Sequence, residues 1–104
     1  MQILPDFEGR SIRLTDERLA HLREHPEMSS AEPRILETLL RPSTVIQSVS
    51  DPSVHLYYRQ YLNTTVGAKW LCVVVKVEVI DSFIITAYFT DKPKRGATLW
   101  QELQ

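Results

Sequence analysis

His21 and His25 stand four residues apart, so a helix running through them would place both imidazoles on one face. Neutral imidazoles at that spacing move protons near neutral pH or share a metal ion. A metal needs a third ligand, and His55 is the one histidine left. Proton transfer is the better match. Cleaving a phosphodiester without a metal takes a base for the 2′-hydroxyl and an acid for the leaving oxygen. The plainer alternative is that His25 ends a helix with its ring bonded to local backbone. Arg59, set between tyrosines, has a planar fork that grips two phosphate oxygens and stabilises charge developing in a transition state. Its plainer alternative is an ion pair with a carboxylate on a neighbouring strand, such as Glu78. Thr86 and Thr90 would hydrogen-bond a phosphate, and Tyr57 or Tyr88 would stack on a base. Lys76 would join Arg59 in stabilising that charge, and Lys92, Lys94 and Arg95 would hold backbone phosphate. Threonine is also a plain strand former, and a loop with Lys92, Lys94 and Arg95 is most commonly a solvated tail.

These residues need elements to carry them. Residues 1–13 hold Pro5 and Gly9 and are expected to form an irregular arm, with at most a short strand around Ser11–Leu14. Thr15 is a good N-cap, Asp16 and Glu17 suit the positive end of a helix dipole, and Leu14 with Leu19 makes a hydrophobic staple. This first helix must stop near His25, because Pro26 disfavours helical geometry in the residue before it. Ser29 or Ser30 is expected to cap a second helix whose stripe is Ile35, Leu36, Leu39 and Leu40, ended by Pro42.

From Thr44 the apolar pattern changes to period two. Strands are expected at 44–50, 54–62, 69–79 and 83–90, separated by Asp51-Pro52-Ser53, by Asn63 to Ala68, and by Ile80-Asp81-Ser82. Such short connections favour antiparallel neighbours. The expected fold is α+β: one domain over 1–104, with two N-terminal helices (14–42) packed on one face of a four-stranded antiparallel meander (44–90) and a C-terminal tail over 91–104. Alternation assigns faces. Leu56, Tyr58 and Leu62 should face the helices together with Leu71, Val73, Val75 and Val77. The other side would then collect Tyr57, Arg59, Tyr61, Lys76, Thr86, Tyr88 and Thr90, a platform on which single-stranded bases stack while cations hold phosphate.

The 104 residues suffice for one modest core. Net charge is −1, with five Lys and Arg against eight Asp and Glu in residues 1–40 and seven against five in residues 41–104. A polyanion site therefore belongs on the C-terminal half and must rely on local geometry. No apolar run reaches bilayer length and no signal peptide is evident. The single cysteine, Cys72, falls mid-strand and reads as a core residue of a reducing cytoplasm. There is no Gly-rich phosphate loop, no Cys-x-x-Cys pair and no acidic metal cluster, which removes nucleotide-hydrolase and zinc-ribbon readings.

The run Leu14-Thr15-Asp16-Glu17-Arg18 with His21, then His25-Pro26-Glu27, Tyr57-Tyr58-Arg59, Val74-Val75-Lys76 and Thr86-Ala87-Tyr88-Phe89-Thr90, resembles small phage and bacterial domains of the barnase–EndoU–colicin–RelE-like nuclease superfamily. The likeness spans roughly 11–98. It implies a metal-independent ribonuclease without a cofactor, often a toxin countered by an antitoxin protein. Carried over by position, it implicates His21, with His25 as second choice, along with Arg59 and Thr86 or Thr90. The leading expectation is an RNA endonuclease of the toxin type. The runner-up is a non-catalytic module of the same fold that binds nucleic acid or peptide.

Overall fold

The computed structural model describes residues 1–64 and 67–103. The expected turn at 63–68 therefore lies partly outside the described residues. The chain forms a seven-stranded mixed sheet, not a four-stranded antiparallel meander. Chain order is β1 (Gln2–Pro5), β2 (Ser11–Leu14), α1 (Asp16–Arg23), a 3₁₀ turn (Pro26–Met28), α2 (Glu32–Leu40), β3 (Thr44–Gln47), β4 (Val54–Thr64), β5 (Gly67–Val77), β6 (Ser82–Thr90) and β7 (Ala97–Gln101). Spatial order is β1-β2-β6-β5-β4-β3-β7. The strands β3 to β6 do form a meander. It is extended on one side by the N-terminal hairpin, whose β2 runs parallel to β6, and on the other by β7 beside β3. Residues expected to be an arm and a tail thus supply three strands.

Local chemistry accounts for most boundaries. The Thr15 hydroxyl accepts from the Arg18 N–H at 3.1 Å, with Asp16 and Glu17 in the first turn. The helix ends at Arg23, and Pro26 opens the 3₁₀ turn. Helix α2 is capped by Ala31, without a side-chain hydrogen bond, in place of the expected Ser29 or Ser30. Pro33 in its first turn makes this tolerable, since its fixed φ is already helical and it has no N–H to satisfy.

Both helices cover one face of the sheet. There Leu19, Leu22, Ile35 and Leu39 pack with Ile12, Leu71, Val73, Val75, Ile84 and Ala87. The sheet curls enough for Phe7, in the β1–β2 loop, to bring its ring 5.0 Å from Trp100 of β7 and 6.1 Å from Tyr57. Asp6 anchors that loop. Its buried carboxylate accepts from the Tyr57 hydroxyl at 2.6 Å, from the backbone N–H of Glu8 and Arg10, and from the Arg10 guanidinium.

The expected side assignment of β4 is reversed. Tyr57 and Tyr61 belong to the helix-side core, whereas Leu56 and Tyr58 cluster with Ile46 and Cys72 on the other face. In β6 the register shifts between Val74 and Val75 of its partner. This bulge places Ile84 with Ala87 on the helix side, although simple alternation would pair it with Thr86.

No helix among the described residues is long and apolar enough to cross a membrane.

Candidate binding groove

Strand β4 runs antiparallel to β5 and to β3, β5 to β6, and β3 to β7, so β6 and β7 point the same way. Residues 91–96 must therefore pass over β5, β4 and β3. They do so on the face away from the helices, where the Lys94 N–H donates to the Tyr58 hydroxyl at 3.0 Å. Gly96 lets this strap meet β3. A Cβ there would lie 2.3 Å from the Gln47 carbonyl oxygen and 2.7 Å from Ile46 Cγ2, closer than any side chain can approach.

Between the strap and the β3–β4 loop lies a groove of about 500 Å³. Leu56 and Val74 line it along the sheet, with Thr86 and Tyr88 from β6, Ser48 and Ser50 from the loop, and Lys94 and Arg95 from the strap. Lys94 and Arg95 are exposed and have no ion-pair partner among the described residues. At one end the Lys76 ammonium donates to Asp51 Oδ2 at 2.8 Å. That bond, reinforced by the hydroxyl and N–H of Ser53, holds the Asp51 carboxyl at about 2. Beneath the strap, burial pushes the Tyr58 phenol up to about 12 and the Cys72 thiol up to about 11, and raises Tyr88 as well. These groups keep their protons at neutral pH. The groove therefore offers hydroxyl donors, a phenol ring, two unpaired cations and an apolar floor.

The residues singled out for chemistry separate into two sets. Thr86, Tyr88 and Lys94 meet in the groove; Thr90 and Lys92 lie where the strap begins, and Lys76 is on the same sheet face. His21, His25, Tyr57 and Arg59 are elsewhere. His21 is exposed on α1, with Nδ1 3.6 Å from Glu24. His25 is exposed at the start of the 3₁₀ turn. Tyr57 is buried against Asp6, and its phenol is raised by burial and then by that carboxylate.

Arg59 is engaged on the helix side. Its Nη1 donates to the Arg41 carbonyl oxygen at 2.6 Å, closing the C-terminus of α2, and its Nε lies 3.3 Å from Glu37. Glu37 also accepts from the Tyr61 hydroxyl at 2.5 Å. That bond is the main cause of its lowered carboxyl pKa, and burial first, then Glu37, raises Tyr61 to about 12. So Arg59 does pair with a carboxylate, but one from α2 rather than Glu78. Arg95, expected with Lys92 and Lys94 as a phosphate contact, lines the groove, whereas Ser48 and Ser50 are groove residues outside the expected set. Nothing local marks the two serines.

No protein-family model matches this chain, and no curated protein or solved structure matches it either. Function therefore rests on geometry. Among the described residues no three His, Cys, Asp or Glu side chains are grouped to hold a metal ion.

Proposed function

We propose that this chain is a non-catalytic module that binds single-stranded RNA along the groove under the β6–β7 strap. The observation that carries the reading is the convergence of Thr86, Tyr88, Lys94 and Arg95 on one cleft, with neither cation in an ion pair among the described residues. A base would lie on the apolar floor of Leu56 and Val74 beside the Tyr88 ring, and its phosphate would meet Lys94 and Arg95. Binding rather than cleavage is favoured because a cleaving site needs an acid and a base that titrate near neutral pH. The histidines that would supply them lie on the helix side of the sheet. A reducing cytoplasm suits the buried, unpaired Cys72.

The test is a fluorescence-anisotropy titration of a short labelled single-stranded RNA in EDTA, with the RNA run on a denaturing gel afterwards. Lys94→Ala/Arg95→Ala is expected to weaken binding about tenfold or more, while His21→Ala leaves it unchanged. With two phosphates engaged, log affinity should fall against log salt with a slope of about −1.4. Unaltered binding by the double variant would remove the groove from the account. RNA cut by the wild type but not by His21→Ala would restore the nuclease reading.

A further inference from the structure

The β5–β6 hairpin ends in Glu78-Val79-Ile80-Asp81. Its two aliphatic side chains are almost wholly in solvent, at 103% and 97% relative exposure. Asp81 is held by Arg13 at 3.0 Å, but Glu78 has no ion-pair partner among the described residues. The tip is thus an apolar knob with an acidic flank. The groove under the strap is its complement: an apolar floor, an exposed Val49 on one wall, and the unpaired cations Lys94 and Arg95 on the rim.

We propose that the tip of one copy seats in the groove of a second copy, with Val79 and Ile80 on the apolar floor and Glu78 facing Arg95. The acidic flank selects this occupant over an anionic lipid surface, which would repel it. Placement along the strands fits a closed pair. The groove lies at the Val74–Thr86 register and the hairpin leaves the sheet just beyond Val77–Ser82, so tip and groove sit near the same end of the sheet, and the pair proposed is the two-fold one in which each copy offers both. The contact does not depend on RNA binding, but it occupies the same cleft, so assembly and RNA compete.

Sedimentation equilibrium over a range of protein concentrations, without RNA, tests this and leaves the RNA reading untouched. The wild type is expected to associate reversibly into a dimer. Ile80→Asp should weaken that dimer about tenfold or more, from the lost burial of one aliphatic side chain. Glu78→Arg and Arg95→Glu should each weaken it, and their combination should regain affinity, a rescue that a misfolded variant could not give. A wild type that stays monomeric throughout, a dimer indifferent to Ile80→Asp, or a combination no better than either single change would overturn the proposal.

Discussion

Lys76 and Asp51 show what single side chains contribute at the groove's end. The Lys76 bond, together with the hydroxyl and N–H of Ser53, depresses the Asp51 carboxyl from 3.8 to about 2 in the folded chain. A carboxyl with a depressed folded pKa stabilises the fold above its unfolded value, and that contribution disappears as pH falls toward the folded one. Lys76→Met removes the largest cause of the shift. Urea midpoints measured across the window from about pH 4 to about pH 2 should therefore fall less steeply for the variant than for the wild type. Identical pH profiles would mean that the pair contributes nothing in solution. Arg59 carries the opposite lesson at the same scale. Its type and its tyrosine neighbours suit phosphate, yet the Arg41 carbonyl and Glu37 already occupy its guanidinium. Both partners belong to the end of α2, and no local pattern around Arg59 reveals which helix will lie over it.

At the scale of elements, both helices and the four central strands are legible in capping, proline placement and period-two alternation. The edge strands are not. β1 and β7 are four and five residues long; β1 pairs with β2 across a loop in which Pro5 and Gly9 suggested an irregular arm, and β7 pairs with β3, a partner distant in sequence. The face of β4 misleads for a related reason. Each of its sides has a buried aliphatic or aromatic residue, Tyr57 on one and Leu56 and Tyr58 on the other, since it lies inside a sheet covered by helices on one face and by the strap on the other. Alternation finds the two sides without saying which is which. The tyrosine side faces the helices because Asp6 and Glu37 wait there for the hydroxyls of Tyr57 and Tyr61. The strap itself hangs on Gly96. Gly96→Val would force the 91–96 segment away from Gln47 and Ile46, costing about 1–3 kcal/mol as overpacking. Chemical denaturation should register that loss, and RNA affinity should fall with it because Lys94 and Arg95 ride on the same segment. A variant of unchanged stability would show that the approach to β3 is looser than the geometry implies.

Taken whole, the molecule is close to neutral, so no long-range field draws a polyanion to it. Attraction has to be local, and the sheet makes it so by dividing the charged side chains. Arg59 is engaged on the helix side, Lys76 is neutralised by Asp51, and Lys94 and Arg95, without ion pairs among the described residues, stand over an apolar floor. The most direct measurement is a map of backbone amide chemical-shift changes in the isotope-labelled protein as a short single-stranded RNA is added. The changes are predicted to gather on 48–51, 86–88 and 92–96. A map centred on α1 and the 3₁₀ turn, around His21 and His25, or one without changes at all, would contradict the account.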